Sequence, residues 1–92
     1  MIARRIIVAG RVQGVGFRDA LIERATILRL TGWVRNRRDA TVEALLQGAP
    51  KAVESAIDWA RAGPPAARVT GIEVHGVEPD LTRSSFERLP TF

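Results

Sequence analysis

The segment from Gly10 to Arg18 carries residue types that can bind an anion. It reads GRVQGVGFR and lies between an apolar run and a helical pattern. Glycine has no Cβ and adopts positive φ angles, so the backbone can curl around an anion. The first N–H groups of a helix have no partner within the helix, and the helix dipole adds positive charge there. Because Arg18 falls in the first turn of the predicted helix, the segment predicts a site for phosphate or another oxyanion.

Two familiar phosphate-binding motifs are absent from this segment. No Gly-Lys-Ser/Thr sequence is present, so the segment is not a P-loop, and Gly14 to Asp19 lacks the third glycine of a dinucleotide fingerprint. Glycine spacing alone therefore leaves two alternatives open, an anion cradle and a tight structural turn.

Length and composition describe one globular domain, residues 1–92. The chain is 46% hydrophobic and 26% charged, and it contains no cysteine and a single histidine, His75. These counts exclude disulfides, thiol nucleophiles and cysteine-ligated metals, and they argue against a histidine metal cluster or a Ser/His triad. No apolar run approaches the roughly 20 residues of a membrane helix, so we expect a cytoplasmic protein without a membrane segment.

The basic residues are almost all arginine. Of 14 basic residues only Lys51 is lysine, and the net charge is +4. This bias reflects either genome composition or anion binding, since arginine makes forked contacts to phosphate and carboxylate. Net charge does not choose between nucleic acid and a small phosphorylated molecule.

Hydrophobic periodicity predicts the elements that position the segment. Strands are predicted at 2–9, 32–37, 41–47, 68–77 and 85–89, with a hairpin turn at 38–40. Helices are predicted from Phe17, with apolar residues at Leu21, Ala25 and Leu28, and from Pro50 to the Gly63-Pro64-Pro65 stop. The order predicts an α+β, ferredoxin-like split β-α-β sandwich (βαββαβ plus a short C-terminal strand), with two helices on one face of an antiparallel sheet.

Four motifs together resemble the acylphosphatase family. They are GRVQGVGFR at 10–18, GWVRN at 32–36, DATVE at 39–43 and GPPAARV at 63–69. The resemblance covers nearly the whole chain and implies the ferredoxin-like fold. It also implies hydrolysis of acyl phosphates to a carboxylate and inorganic phosphate, without metal or cofactor.

The resemblance also implies the site residues. Phosphate would be bound by the backbone amides of the loop residues Gln13, Gly14, Val15, Gly16, Phe17 and Arg18. Arg18 would be the substrate-binding arginine and Asn36 the asparagine that positions the attacking water. A small-molecule acyl phosphate would be the substrate, with inorganic phosphate as product and inhibitor, and we expect a monomer.

Three positions depart from the family pattern. Family members commonly have glycine where this chain has Arg29, and Asp-Gly where it has Asp39-Ala40. If those turns are left-handed, Ala40 is strained by roughly 1 kcal/mol. The family often has an apolar residue where this chain has Arg88, so a bulge or register change that turns Leu89 inward is expected.

Other candidate residues have ordinary structural interpretations. We expect Arg35 and Arg37 to face away from Asn36, Trp59 to pack partly in the core, His75 to be exposed and idle, and Glu43 to face solvent.

Two alternative functions remain at this point. A nucleic-acid-binding ferredoxin-like module is favoured by the arginine excess but lacks an aromatic pair on its sheet, so nucleic acid is not the expected partner. The second alternative is a domain that handles carbamoyl phosphate, like that of hydrogenase maturation proteins. Those proteins are much longer, which favours a free-standing enzyme here.

Overall fold

The computed structural model describes residues 1–92 and contains seven elements. They are β1 (Ile2–Arg11), α1 (Phe17–Ile27), β2 (Thr31–Asn36), β3 (Val42–Gly48), α2 (Pro50–Ala62), β4 (Arg68–Val77) and β5 (Phe86–Arg88). The predicted βαββαβ order with a short last strand is confirmed. None of the helices has the length and apolar character needed to cross a membrane.

The five strands form one sheet in the order β4-β1-β3-β2-β5. Neighbours among the first four strands are antiparallel, whereas β5 runs parallel to β2. The expectation of a wholly antiparallel sheet is therefore wrong at this edge. β4 and β5 lie at opposite edges, so a long connection joins them and β5 is free of the hairpin geometry that would make it antiparallel.

The side chain of Gln47 holds that long connection in place. Its Nε2 donates to the carbonyl oxygen of Asp80 at 2.7 Å, and its Oε1 accepts the N–H of Asp80 at 2.8 Å. Gln47 is 1% exposed, and these bonds satisfy the buried amide. A buried glutamine in β3 thus guides the chain to the far edge of the sheet.

The core lies between the two helices and one face of the sheet. Helix α1 buries Phe17, Leu21 and Ala25, as the sequence spacing predicts. Helix α2 contributes a second apolar stripe: Val53, Ala56, Ile57 and Ala60. Alternate residues of the central strands complete the core: Ile6, Val8, Val42, Ala44 and Leu46. Trp59 is partly buried, with its ring centroid 5.4 Å from that of Phe17, so its predicted core packing is confirmed.

The opposite face of the sheet holds a buried ionic cluster. Glu43 is 5% exposed and accepts hydrogen bonds at 2.8 Å from Arg5 and from Arg35. The expectation that Glu43 faces solvent is wrong, because arginines on the two flanking strands cover it. Burial would raise the pKa of Glu43, but the hydrogen bonds and charges of the two arginines outweigh it and lower the pKa.

Two turns contain non-glycine residues with positive φ. Arg29 has a φ of 58° and follows α1, where its N–H bonds to the Thr26 carbonyl and that of Leu30 to the Ala25 carbonyl. This is a Schellman helix end, which usually carries glycine at the left-handed position. Ala40 has a φ of 73° in the β2–β3 turn. Both family departures thus fall on backbone conformations that glycine adopts without strain.

Candidate active site

The loop between β1 and α1 has the backbone shape predicted for an anion cradle. Gly14 and Gly16 have φ angles of 71° and 80°. A Cβ added at either position would meet no atom within 4 Å. The left-handed backbone, rather than a lack of space, therefore favours glycine here.

Helix α1 begins at this loop without a capping side chain. Gly16 occupies the N-cap position, and no side chain accepts a hydrogen bond from the first turn. The first-turn N–H groups have no partner within the helix, and the positive end of the helix dipole lies behind them. An anion in the loop would satisfy these donors.

A small cavity lies against the loop and the start of α1. It measures about 110 Å³, and its lining includes Gly14, Gly16, Phe17, Arg18, Asp19 and Arg88. Sites for whole organic ligands are usually about 300–1,000 Å³. The cavity is therefore the size of a site for a small oxyanion, and a larger group attached to that anion would extend outside it.

Two guanidinium groups carry positive charge at this cavity. Partial burial, together with the charge of Arg88, lowers the pKa of Arg18 below its ordinary value. Arginine nevertheless stays protonated at physiological pH. The two cations repel each other across a site that contains no compensating anion other than the neighbouring Asp19 carboxylate, which binds Arg88.

Gln13 ties the loop to the β2–β3 turn. Its side-chain Nε2 donates hydrogen bonds to the carbonyl oxygens of Arg37 at 2.8 Å and Thr41 at 2.9 Å. These carbonyls belong to the turn that immediately follows Asn36. The side chain of Gln13 thus fixes the position of the asparagine segment relative to the loop, a contact that the sequence pattern did not indicate.

Asn36 is the last residue of β2 and lies on the helix-facing side of the sheet. It pairs with Val42 of β3 and follows Val34, a core residue two positions earlier on the same face. Its backbone carbonyl accepts the N–H of Phe92 at 2.9 Å. Its side-chain Oδ1 is buried and has no hydrogen-bond partner. A buried acceptor without a partner is rare, and a rotation of the side chain toward the solvent would let it accept a hydrogen bond from water.

Only some of the predicted site residues line the cavity. Gly14, Gly16, Phe17 and Arg18 line the cavity, whereas Val15 packs against the core. Gln13 contacts the β2–β3 turn, and Asn36 belongs to the strand that precedes this turn without lining the cavity. Arg35, on the other face, bonds to Glu43 and covers the rings of Trp33 and Phe92, so its predicted orientation away from Asn36 is confirmed.

The remaining candidate features contribute nothing to this cavity. An open depression of about 490 Å³ at the β2–β3 turn is lined by Arg37, Arg38, Asp39, Thr91 and Phe92, and it contains none of the predicted site residues. No group of three His, Cys, Asp or Glu side chains is arranged to hold a metal ion. His75 is exposed beside Glu73.

Comparison with known proteins identifies the family. The acylphosphatase family model matches residues 4–88. Acylphosphatase 1 of Ralstonia nicotianae (strain ATCC BAA-1114 / GMI1000) is 50% identical over 92 residues, which are 99% of this chain and 90% of the relative. The crystal structure of acylphosphatase from Bacillus subtilis has a TM-score of 0.92 and 39% identity, over 97% of this chain and 99% of that one.

The fold and the loop define a ferredoxin-like domain with a glycine loop and an arginine at a helix N-terminus. The chain belongs to the acylphosphatase family. A crystal structure of full-length HypF in its phosphate- and nucleotide-bound form also matches, with a TM-score of 0.89 and 29% identity over 98% of this chain but 12% of that one. The same domain architecture thus occurs within a much longer protein.

Proposed function

We propose that this protein hydrolyses acyl phosphates to a carboxylate and inorganic phosphate, with Arg18 and the amides of residues 13–18 holding the phosphoryl group and Asn36 positioning the attacking water. Family membership supports the reaction. The single observation that carries the assignment of roles is the uncapped glycine loop at the start of α1, whose cavity Arg18 helps to line.

The chemistry of the substrate explains how so few polar groups suffice. An acyl phosphate has a carboxylate leaving group, whose conjugate acid has a pKa of about 4. Such a group leaves as an anion at neutral pH without being protonated. The reaction therefore needs no general acid, in agreement with a site whose ionisable side chains are arginines and one carboxylate paired to an arginine.

Arg18 and the loop amides stabilise the transferring phosphoryl group. Phosphoryl transfer depends mainly on positioning and on stabilising the charge of the phosphoryl oxygens. The loop amides and the start of α1 supply neutral donors, and Arg18 supplies two parallel charge-assisted hydrogen bonds from its fork. The same donors hold inorganic phosphate, so the product is also an inhibitor.

Asn36 places the water for attack in line with the leaving carboxylate. Its side-chain amide holds the water by a hydrogen bond and so fixes the direction of the oxygen lone pair that attacks. A neutral amide is a poor base, so the proton of the water passes late in the reaction to a phosphoryl oxygen or to solvent. Asn36 is therefore a positioning group rather than a general base.

The finer properties follow from the same proposal. No metal takes part, because the loop amides and Arg18 supply the positive field that the phosphoryl group requires. The protein acts as a monomer, in agreement with exposed large apolar residues that are divided among the two termini, α1, β4 and the β4–β5 connection: Met1, Ile27, Val74, Val77, Leu81 and Phe92. The cysteine-free composition is compatible with the proposed cytoplasmic location.

The two alternative functions have weaker support. The outer face of the central strands β1 and β3 presents Arg5, Glu43 and Leu45, none of them aromatic, where a nucleic-acid-binding sheet of this fold uses aromatic side chains. The carbamoyl-phosphate alternative comes from a much longer protein, of which this chain matches 12%. The Ralstonia relative, by contrast, is matched over 90% of its length.

The decisive experiment is benzoyl phosphate hydrolysis in excess EDTA by the wild type and three site variants. Arg18→Ala should lower kcat/KM by about 100- to 1,000-fold and weaken phosphate binding, since the guanidinium contacts phosphate in both the ground and transition states. Arg18→Lys should remain impaired because lysine has no fork. Asn36→Ala should lower kcat by about 100-fold with little change in phosphate affinity.

Arg24→Ala is the matched control for Arg18. It removes the same charge from an exposed position on the same helix. Full turnover by Asn36→Ala would show that the role assigned to Asn36 is wrong. A folded wild type without turnover would leave the loop as an anion-binding site only.

A further inference from the structure

Arg88 reaches the phosphate cavity from a different part of the chain than the loop. In the parallel pairing of β5 with β2, Phe86 lies opposite Gly32 and Arg88 opposite Val34, without a register shift. The expected bulge is therefore absent over these residues. Alternation puts Arg88 on the same face as the buried Phe86, which is the face covered by the helices.

The register also places Arg88 beside Asn36. β5 and β2 run in the same direction, and Asn36 follows Val34 by two positions on the same face. Arg88 therefore occupies the position diagonal to Asn36, at the end of the sheet where the loop and the start of α1 lie. The Arg88 side chain is among those that line the cavity.

One carboxylate holds the Arg88 side chain in this location. Its Nη2 pairs with Asp19 in the first turn of α1, beside Arg18. A guanidinium has five N–H donors, so one ion pair leaves others free to bind an anion. The side chain remains 42% exposed and is thus accessible to a substrate.

We propose that Arg88 is a second guanidinium of the phosphate site, which binds the phosphoryl oxygens together with Arg18 and is oriented by Asp19. This inference rests on the proposed function. With two arginines, one carboxylate and a helix N-terminus, the side chains and backbone of the site carry excess positive charge. A phosphoryl dianion relieves the repulsion between the two guanidinium groups. Burial is the larger cause of the lowered pKa of Arg18, and the charge of Arg88 adds to it.

The test compares Arg88→Met with Arg24→Met. Methionine keeps much of the aliphatic stem and removes the guanidinium, and Arg24 is an exposed arginine elsewhere on α1. Phosphate affinity is measured by titration calorimetry, and KM and kcat are measured with benzoyl phosphate, at low and high salt. For Arg88→Met we expect phosphate Kd and KM to rise about five- to tenfold, with kcat changed less than about threefold, since a half-exposed charge contact contributes to binding in both states.

Two more variants show whether the effect depends on the position of the charge and on the shape of the guanidinium. Arg24→Met should change both constants less than about twofold at moderate salt, because Arg24 does not line the cavity and its exposed charge is screened by salt. Arg88→Lys should fall between the wild type and Arg88→Met, since it keeps the charge without the fork. Thermal unfolding of each variant confirms that it is folded.

Two results would overturn the proposal for Arg88 alone. One is an Arg88→Met protein whose phosphate Kd equals that of Arg24→Met while wild-type hydrolysis is intact. The other is a loss of kcat with unchanged phosphate affinity, which would make Arg88 a support for Asn36. A wild type that neither binds phosphate nor hydrolyses benzoyl phosphate would overturn both this inference and the proposed function.

Discussion

Replacing Ala40 by glycine tests whether the β2–β3 turn is strained. Ala40 has a φ of 73°, and its N–H donates to the carbonyl of Arg37 at 3.1 Å. The N–H of Arg37 in turn donates to the carbonyl of Thr41 at 2.9 Å. This is a type I turn followed by a left-handed residue, the arrangement in which hairpins commonly use glycine.

The expected gain is the difference between two opposing terms. An L-residue in the left-handed region is strained by about 1–2 kcal/mol, which glycine relieves. Glycine also makes the unfolded chain more flexible, which destabilises the protein by about 0.4–1 kcal/mol. At the midpoints of the two ranges the net stabilisation is about 0.8 kcal/mol, or a rise in Tm of about 3–6 °C for a domain of this size.

Thermal and urea denaturation of two alanine-to-glycine variants would check this value. Ala66→Gly is the matched control, because Ala66 is also exposed in a turn but has no positive φ. Its free energy of unfolding should fall by about 0.4–1 kcal/mol, because glycine makes the unfolded chain more flexible and relieves no strain at this position. Opposite signs for the two variants support left-handed strain at Ala40. If Ala40→Gly were destabilised as much as Ala66→Gly, the reasoning from φ would be refuted.

Three further predictions concern other parts of the fold. Arg29→Gly should also raise Tm, by about 3–6 °C, because it relieves the same strain at the end of α1, and its effect should add to that of Ala40→Gly in a thermal scan of the double variant. Gln13→Met should lower the free energy of unfolding by about 1–3 kcal/mol through two lost hydrogen bonds. It should also reduce kcat more than phosphate affinity, and an equal loss of both would contradict a positioning role. Glu43→Gln should flatten the pH dependence of unfolding: the lowered pKa of Glu43 stabilises the fold above its ordinary pKa of about 4.5, and this stability is lost as the pH falls through the lowered value. The check is the free energy of unfolding, measured at several pH values between about 5 and 2. If it fell equally steeply with pH in the wild type and in the variant, this account would be contradicted.

The sequence by itself determined the elements and predicted the residues of the candidate site. The apolar spacing of Leu21 and Ala25 placed α1, because a helix buries one stripe and repeats every 3.6 residues. The motifs around Arg18 and Asn36 indicated the loop and the strand end. They could do so because each motif is a short run of neighbouring residues. The positive φ at Ala40 was also accessible from the sequence, as a residue standing where the family usually has glycine.

Only the tertiary structure decided the contacts between distant strands and the loop. Three contacts join residues from different elements: Gln13 binds the β2–β3 turn, Glu43 is buried between two arginines, and Arg88 lines the cavity at the start of α1. The parallel direction of β5 was also decided only by the tertiary structure. Hydrophobic periodicity reports how each segment meets the core. It does not report which polar side chains meet across a sheet, because those contacts depend on strand order and register, which arise only when the whole chain packs.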